Sequence, residues 1–326
     1  MKAAASAQRP AARASASGRP RSECAVAKTQ PDGPQCGVHA CGGFLMMQVV
    51  EAALAERLID GHTSDPWYGR QVSSISCKVC GGYTALLAEA DANRTCEDLK
   101  AGGPVFAPSG ELVPYLRCQS CGLIFTSHFD GWSHAEFEAR IYNADYVKTD
   151  PEFVAERPSR NARIVWEHFS SAPSALDYGG GSGALAASLR ARGLADCVTY
   201  DPFSAEFSER PARRFGLVTS FETLEHVPDP LGTARDLAGF VEPPGVVFFS
   251  TLVQPDDIER IGSSWWYMAP RNGHITLHSR QSLGLTWAAQ GMRCVSFGDV
   301  WHCAFSEPPT WAVPLLKRAQ REITPA

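Results

Sequence analysis

Residues 175–183 read ALDYGGGSG, and this stretch decides the fold. The apolar run at 175–178 predicts a short buried strand, and the glycines behind it predict a sharp turn. The Ala- and Leu-rich segment at 184–190 predicts a helix directly after the turn. A strand, a glycine turn and a helix in this order leave backbone N–H groups free at the carboxyl end of the strand. Open α/β sheets bind their ligands at that place.

The chain around this unit alternates between strand-like and helix-like segments. Further strands are predicted at 197–200, 216–220 and 245–250, with late strands near 292–297 and 300–305. Helices are predicted at 159–169, 231–240 and 281–290. This alternation predicts an α/β fold with a parallel, doubly wound sheet.

The glycines and two acids of this unit describe a nucleoside-binding site. Gly179, Gly181 and Gly183 let the backbone turn and approach a ligand without a side-chain clash. Asp201 closes the second predicted strand, where its carboxylate can accept both hydroxyls of a ribose. Asp177 lies two residues before the first glycine, inside the first predicted strand.

Two nucleoside cofactors match this pattern. The spacing of Gly179, Gly181 and Ala184 also satisfies the relaxed dinucleotide fingerprint, which indicates NAD. Asp177 disfavours NAD, because its negative charge would lie close to the pyrophosphate. The α-ammonium group of S-adenosylmethionine, by contrast, calls for a carboxylate there, directly or through water. We therefore favour the sulfonium nucleoside.

Three segments in order resemble the signature segments of class I S-adenosylmethionine-dependent methyltransferases. They are LDYGGGSG at 176–183, Asp201-Pro202, and ETLEHVPDP at 222–230, the last being especially similar to the ubiquinone-biosynthesis O-methyltransferase branch. The resemblance covers residues 174–305 and implies a Rossmann-like sheet, S-adenosylmethionine as cofactor and methyl transfer as activity. The expected cofactor-binding residues are Asp177, Tyr178, Gly179, Gly181, Gly183, Asp201, Pro202, Phe203 and Phe221.

The chain departs from this family after Asp201. Only about 15 residues separate Asp201 from the next predicted strand, where the family usually has another strand and helix. The acidic residue that usually holds the adenine amino group has no counterpart. Phe203 or Phe221 is the predicted contact to adenine in its place.

Two copies of the knuckle Cys-x-x-Cys-Gly occur upstream, at 77–81 and 118–122. The two-residue gap lets both sulfurs face one ion, and the glycine permits the turn whose N–H groups bond the thiolates. The 37 residues between Cys80 and Cys118 exceed the compact spacing of zinc sites, which indicates an inserted loop. The four thiolates predicted to form a closed, structural zinc site belong to Cys77, Cys80, Cys118 and Cys121.

Other interpretations of these cysteines are an iron–sulfur cluster, a redox dithiol or unrelated thiols, with Cys96 as an alternative ligand. The stretch CQSCGLIF at 118–125 resembles the N-terminal zinc segment of sugar C-methyltransferases of deoxysugar pathways. This shorter resemblance favours structural zinc and implies a saccharide acceptor.

Acids and histidines downstream are the candidates for the chemistry. Glu222, Glu225 and His226 follow the third strand of the predicted sheet on its ligand side. They resemble the metal-binding residues of ubiquinone O-methyltransferases and of plant small-RNA 2′-O-methyltransferases, which implies a second divalent metal, with His274 or His278 as a fourth ligand. The alternative, which we prefer, is that His226 acts as a general base without metal.

The segment WWYMAPRNGH at 265–274 is the candidate acceptor site, because aromatic rings beside polar groups suit a sugar ring or a phosphate. The alternative is that Trp265 and Trp266 are core aromatics of a lid. Tyr142 and Tyr146 are predicted to close the pocket from the connector. The substrate-binding residues that we expect are Trp266, Tyr267, Arg271 and His278.

Composition and charge narrow the class of protein. The 326 residues are 44% hydrophobic, as expected of a globular protein, and carry a net charge of −5, which disfavours nucleic acid as a partner. No run of 18 apolar residues occurs, so the sequence predicts no membrane span. The 11 cysteines, without a clear secretory signal, predict a reducing compartment, the cytoplasm.

We divide the chain into five segments. Residues 1–70 are an N-terminal extension with one possible helix at 48–59, 71–130 a small zinc-knuckle domain, 131–170 a helical connector, 171–305 the methyltransferase domain and 306–326 a tail. The acid-free start at 1–22 is typical of a flexible tail or an over-extended gene start, with Met46 or Met47 as later starts, and also resembles a transit peptide.

Three functions are compatible with these features. We favour methylation of a sugar or a saccharide-linked small molecule. The second is methylation of RNA or of a phenol or quinone through the Glu-x-x-Glu-His metal site, and the third is a non-catalytic, zinc-stabilised binding module. The sequence predicts no oligomeric state.

Overall fold

The computed structural model describes residues 75–152 and 156–316. The helix expected at 48–59 lies outside these residues. Gln71–Ala326 form one compact unit, so the segments that the sequence separates at 130 and 170 pack together. Among the described helices, none is long and apolar enough to cross a membrane.

The described strands form two sheets. They are β1 (Thr84–Asp91), β2 (Leu112–Cys118), β3 (Ile124–Phe125), β4 (Ala175–Tyr178), β5 (Cys197–Tyr200), β6 (Phe215–Phe221), β7 (Val241–Ser250), β8 (Thr276–Leu277), β9 (Arg293–Phe297) and β10 (Trp301–Phe305). The smaller sheet has the order β1-β2-β3-β8, and the larger has the order β5-β4-β6-β7-β10-β9.

The described helices connect these strands. They are α1 (Asp98–Ala101), α2 (His134–Arg140), α3 (Tyr146–Thr149), α4 (Arg157–Phe169), α5 (Ala184–Arg192), α6 (Pro230–Gly239), α7 (Ile258–Ile261) and α8 (Arg280–Ala288). Short 3-10 turns occur at Leu224–His226, Gly262–Ser264 and Pro270–Asn272.

Helices cover both faces of the larger sheet, which confirms the doubly wound α/β prediction. Successive strand residues point to opposite faces. Leu217 and Val246 are therefore buried with α4 and α5, whereas their neighbours Val218 and Val247 are buried with α6 and α8.

The sheet is mixed and not parallel throughout, which corrects the prediction at one edge. Strands β5, β4, β6 and β7 are parallel, but β10 runs antiparallel to both β7 and β9. Only residues 298–300 separate β9 from β10. A parallel crossover needs about a dozen residues or more, so a connection of this length can only form a hairpin.

The smaller sheet joins the N-terminal cysteine-rich segment to the C-terminal half of the chain. Its fourth strand, β8, pairs antiparallel with β3, with Phe125 opposite Thr276. Tyr115 and Ile124 of this sheet share a buried cluster with Trp265 and Ile275. The knuckle segment is therefore packed against the chain that carries the candidate acceptor site.

The segment after β5 contains neither helix nor strand. Residues 201–214, all of them described, form turns and bends before β6 begins at Phe215. This agrees with the departure noted after Asp201, and it leaves β5 as an edge strand of the larger sheet.

Candidate active site

The glycine turn after β4 adopts the backbone that its sequence predicts. Gly179, Gly181 and Gly183 all have positive φ angles, of 71°, 53° and 72°, a region that residues with a Cβ rarely occupy. Close contacts also exclude side chains at two positions. A Cβ on Gly180 would lie 2.2 Å from Asp177 Oδ2, and one on Gly183 would lie 2.7 Å from the Phe207 ring.

Asp177 lies beneath this turn and is 3% exposed. The Thr219 hydroxyl donates to its Oδ1 at 3.4 Å, while Oδ2 has no hydrogen-bond partner among the described residues. Burial raises the pKa of Asp177 to about 7, with a smaller contribution from the negative charge of Asp201. An unpartnered buried carboxylate oxygen fits a cationic ligand group such as the α-ammonium of S-adenosylmethionine.

Asp201 lies at the end of β5 and faces the same turn. Its Oδ2 accepts the Gly181 N–H at 2.9 Å, and its Oδ1 accepts the Phe203 N–H at 2.8 Å. A carboxylate oxygen has lone pairs for more than one donor, so these bonds leave capacity for ribose hydroxyls. The two predicted aspartates thus meet at one turn, which fits the amino acid and ribose ends of the cofactor.

Two aromatic residues expected at the cofactor have rings that pack within the protein. The Tyr178 ring is buried on the face of the sheet opposite Asp177, and its hydroxyl donates to Asp236 at 2.9 Å. Tyr178 and Asp177 are adjacent in β4, so their side chains point to opposite faces of the sheet. This corrects the prediction of Tyr178 as a cofactor-binding residue as far as its side chain is concerned. The Phe221 ring packs at 5.4 Å from Phe248.

Pro202 and Phe203 remain exposed beside Asp201, as a contact to adenine would require. The Phe203 ring is 65% exposed and lies 4.3 Å from the ring of His134, at the start of α2. The connector therefore reaches the rim of the glycine turn.

Glu225, His226 and His274 form a cluster whose ligand atoms lie within 4.8 Å of one another. The Nδ1 of His226 bonds the Gly273 carbonyl at 3.1 Å, and the Nδ1 of His274 bonds the Tyr267 carbonyl at 2.8 Å. These bonds place a proton on each Nδ1 and leave each Nε2 free to accept a proton or a metal ion. Burial lowers the pKa of both histidines, which favours the neutral form that this role needs.

The carboxylate of Glu225 completes the cluster and is fully buried. Its Oε1 accepts the Tyr267 hydroxyl at 2.7 Å, whereas Oε2 has no partner in the part of the chain that is described. Burial raises the pKa of Glu225. A buried carboxylate oxygen without a donor, beside two imidazoles, is a set that a divalent cation would satisfy.

Glu222 lies near this cluster but outside it, because the group that could share one ion comprises Glu225, His226 and His274. The Ser250 hydroxyl donates to Glu222 Oε1 at 2.7 Å. Burial raises the pKa of Glu222 to about 7, and the neighbouring Glu225 adds to the shift. Its φ of 52° is a strained conformation for a residue with a Cβ, of the kind that accumulates at functional sites.

A cavity of about 250 Å³ opens onto Glu222, His226 and His274. Tyr267 and Trp266, which the sequence predicts to bind the acceptor, also line this cavity. Four carboxylates but only two cationic side chains border it, so its lining is net negative. The charged residues concerned are Glu97, Lys100, Asp150, Glu152, Arg157 and Glu222.

Two expected acceptor residues are not in this cavity. The Arg271 guanidinium is buried and donates to the Ile141 carbonyl at 2.7 Å and to Asn143 at 3.0 Å, so it fixes the connector. His278 is fully buried, with its Nδ1 3.2 Å from the Ser282 hydroxyl, and burial lowers its pKa to about 3. Both side chains are buried and hydrogen-bonded within the protein, which corrects their prediction as substrate-binding residues.

Several cavity residues were not anticipated from the sequence as part of the acceptor site. Lys100, Asp150 and Arg157 come from α1 and the connector, and Arg157 forms a two-bond ion pair with Asp150 at 2.6 and 2.8 Å. Cys96 also lines the cavity, with its sulfur 3.7 Å from His274 Nδ1. It is therefore not part of the knuckle cluster, and no local motif marks any of these residues.

The four knuckle cysteines converge, with their sulfurs within 4.8 Å of one another. Cys77 and Cys121 lie 3.6 Å apart and Cys80 and Cys118 lie 3.5 Å apart, and all four are free thiols. Sulfurs bound to one tetrahedral zinc ion lie about 3.8 Å apart, so this spacing fits the ion. Backbone N–H groups in each knuckle also point to a sulfur, from Val79 to Cys77 and from Cys121 to Cys118.

Comparisons with known proteins match part of this chain to methyltransferases. Residues 146–296 match the family described as methyltransferase domain. The ubiquinone biosynthesis O-methyltransferase of Stutzerimonas stutzeri is 30% identical over 152 residues, covering 39% of this chain and 65% of that protein. The enzyme of the same name from Aromatoleum aromaticum is 50% identical over 56 residues, which are 17% of this chain and 24% of that protein.

Among solved structures, an O-methyltransferase family protein from Burkholderia thailandensis aligns with a TM-score of 0.39 and 15% identity, covering 49% of this chain and 58% of that chain. The chain spans between 24% and 65% of the length of the two enzymes named above. Residues 146–296 thus resemble the methyltransferase domain family, and this match covers a little less than half of the chain.

Proposed function

We propose that this protein transfers a methyl group from S-adenosylmethionine to a hydroxyl of a small acceptor. The observation that carries the proposal is that the loop bearing Glu222, Glu225 and His226 contacts the glycine turn. A Cβ on Gly179 would lie 2.9 Å from the hydroxyl of Thr223, a neighbour of Glu222, so the turn and the acidic loop are in contact. A bound cofactor would therefore lie close to the loop that carries His226.

S-adenosylmethionine supplies an electrophilic methyl group on its sulfonium. Asp177 and Asp201 would hold its amino acid and ribose ends. His226 Nε2 is the proposed acceptor of the hydroxyl proton, since its Nδ1 proton is fixed on the Gly273 carbonyl. In the balanced reaction the acceptor oxygen gains the methyl group, His226 gains the proton, and the sulfonium becomes a neutral thioether.

A divalent metal held by Glu225, His226 and His274 is the second way to use the same residues. Such an ion would supply Lewis acidity that lowers the pKa of an acceptor hydroxyl. In that case His226 is a ligand and cannot also be the base, so the two roles exclude each other. The unpartnered Glu225 Oε2 supports the ion, whereas the fixed tautomer of His226 is compatible with both roles.

For the acceptor we propose a saccharide or saccharide-linked small molecule without phosphate. The net negative lining of the cavity supports the exclusion of phosphate, because like charges in a partly buried site repel. RNA is disfavoured for the same reason. A phenol is the second candidate, and the names of the relatives, ubiquinone biosynthesis O-methyltransferases, favour it.

We also propose that Cys77, Cys80, Cys118 and Cys121 bind one structural zinc ion. Four thiolates close the coordination sphere, so the ion would stabilise the fold and take no part in the reaction. Free thiols at all described cysteines support a reducing location, and we propose the cytoplasm.

The test is a screen of acceptors with S-adenosylmethionine labelled on its methyl group, starting with neutral glycosides and catechols. We expect transfer of label to one series, abolished in His226→Ala while cofactor affinity, measured by calorimetry, is kept. Asp201→Ala should instead weaken cofactor binding about tenfold or more, as expected for the loss of a charged hydrogen-bond partner. Absence of cofactor binding by the unmodified protein would overturn the proposal.

A further inference from the structure

A second depression lies directly beside the cavity that Glu222, His226 and His274 line, which we call the catalytic cavity. It has a volume of about 420 Å³ and lies between α1, the loop after it, and the 3-10 turn at Gly262–Ser264. Trp266 lines both this depression and the catalytic cavity. We call it the Leu99–Trp266 groove, after the two large side chains that line it.

The accessible surface of this groove is mainly carbon. Leu99 is 73% exposed, more than any other exposed large apolar residue in the described part of the chain, and Trp266 is 40% exposed. Pro104 adds a further apolar ring. Apolar surface held open to solvent beside a reaction cavity is the property of a binding groove.

The charged side chains of the groove, Arg94 and Asp98, already form hydrogen bonds within the protein. The Arg94 guanidinium donates to the carbonyls of Ser263 and Trp265, the latter at 3.2 Å. The Asp98 carboxylate accepts the Thr95 hydroxyl at 2.6 Å and the Val105 N–H at 3.0 Å. A ligand in the groove would therefore meet carbon surface and few free donors or acceptors.

Helix α1 separates the groove from the catalytic cavity. Lys100, on this helix, and Glu97, at its start, line the charged cavity, whereas Leu99 lines the groove. This short element thus presents Lys100 to the cavity and Leu99 to the groove, where its Asp98 carboxylate already accepts hydrogen bonds from the protein. A molecule that spans both sites would need a polar reacting end and an apolar remainder.

We propose that the Leu99–Trp266 groove is an acceptor subsite that binds an apolar, non-reacting substituent of the methyl acceptor. This rests on the proposed function, since it places the acceptor hydroxyl in the cavity beside His226. The substituent would leave the cavity past Trp266 and cover Leu99 and Pro104. The subsite is built largely by residues 94–104, which lie outside the matched methyltransferase segment at 146–296.

The test compares matched probes that differ only in their apolar part. Binding of methyl and hexyl β-D-glucoside, and of 4-methyl- and 4-hexylcatechol, is measured by calorimetry with S-adenosylhomocysteine present. We expect the hexyl member of one series to bind at least about tenfold more tightly than its methyl partner, because the added methylenes become buried. The two series distinguish a saccharide from a phenol at the reacting end.

Leu99→Ser should remove most of this hexyl advantage, because it replaces the apolar wall with a hydroxyl. Leu285→Ser is the control, since Leu285 is a 40% exposed leucine on α8 that does not line the groove, and it should keep the full advantage. Equal affinities of hexyl and methyl probes, no detectable binding of either hexyl probe, or an advantage that survives Leu99→Ser would overturn the proposal.

Methylation is followed separately with labelled donor. If a hexyl probe binds in a Leu99-dependent way but is never methylated, the subsite is supported and the proposed acceptor chemistry fails. If both series are methylated without any preference for the hexyl member, the chemistry is supported and the subsite fails.

Discussion

Asp177 combines burial with an unpartnered carboxylate oxygen, so its charge depends on what is bound above it. Burial raises the pKa of this carboxyl to about 7. A carboxyl whose pKa is raised in the folded state is protonated at lower pH and ionised at higher pH. Binding of a cationic α-ammonium group favours the ionised form and would draw the pKa down.

We therefore expect the affinity for S-adenosylmethionine to decrease as the pH falls from 8 to 6, through the pKa of Asp177. The decrease cannot exceed about tenfold for each pH unit, since one proton is involved. Calorimetry at pH 6, 7 and 8 measures it. Asp177→Asn is the control, because it should bind weakly with little pH dependence; an unchanged pH profile in this variant would assign the titration to another group.

Tyr267 was predicted to bind substrate, but its contacts give it a second role. Its ring is 3% exposed, its hydroxyl donates to Glu225, and its carbonyl accepts the His274 Nδ1 proton. One residue thus fixes two members of the cluster. It is a positioning residue, in addition to lining the cavity.

For Tyr267→Phe we expect a loss of stability of about 1 kcal/mol, because a buried hydrogen bond to a carboxylate is removed. We expect turnover to fall about tenfold while cofactor affinity stays the same, since Glu225 would lose its orientation and Asp177 would not. Unfolding by urea, calorimetry and labelled-methyl transfer measure the three quantities. Tyr83→Phe, at a 68% exposed tyrosine, is the matched control and should change none of them.

At the scale of elements, two of the predicted strands have the correct bounds, whereas β7 begins at Val241 and not at the predicted residue 245. The strands at 175–178 and 197–200 match β4 and β5 residue for residue, because short apolar runs bounded by turns are a local signal. Strand β8 was not predicted. It has only two residues and exists because Thr276 pairs with Phe125, about 150 positions away, which no sequence window contains.

The two knuckles fix the smaller sheet at one end, since Cys118 ends β2 and Cys121 precedes β3.

We expect the purified protein to carry about one zinc ion per chain, measured by elemental analysis. Cys118→Ser should lose the metal and lower the unfolding temperature, because metal binding and folding are coupled. Cys294→Ser, a change on β9 outside the cluster, should keep the metal; a folded Cys118→Ser protein of unchanged stability would contradict a structural zinc site.

At the scale of the whole molecule, hydrogen bonds connect the knuckle segment to the part of the chain that carries His274. The Tyr115 hydroxyl of β2 donates to the His274 carbonyl at 2.7 Å. The Ser279 hydroxyl, just after β8, donates to the Cys121 carbonyl at 2.5 Å. The position of His274 therefore depends on the smaller sheet, whereas the glycine turn at 179–183 belongs to the larger one.

We expect Tyr115→Phe to reduce acceptor turnover several-fold while cofactor affinity changes less than about twofold, because it removes one bond to the His274 segment and leaves the ring in place. Labelled-methyl transfer and calorimetry measure the two quantities. Tyr83→Phe, just before β1 of the same sheet, again serves as the control. Equal losses of turnover and cofactor affinity would show that the two sheets do not act separately.

The cofactor half and the acceptor half of the site were not equally predictable. Asp177 and Asp201 lie within one strand–turn–helix–strand unit, so local motifs are sufficient to place them. The acceptor cavity gathers Lys100, Arg157 and His274 from segments far apart in the chain. Its composition depends on how the two sheets pack, which explains why Arg271 and His278 were wrongly included.

Strand β5 is an edge strand of the larger sheet, and this has a consequence for how the methyl donor is recognised. No strand or helix follows Asp201 before β6, so nothing in residues 201–214 builds a regular wall at the purine end of the cofactor. With Pro202 and Phe203 as the expected contacts to adenine, the protein would bind its donor mainly through the homocysteine and sugar portions. Donor analogues enlarged on the base should consequently be tolerated, while those altered at the amino acid should be rejected.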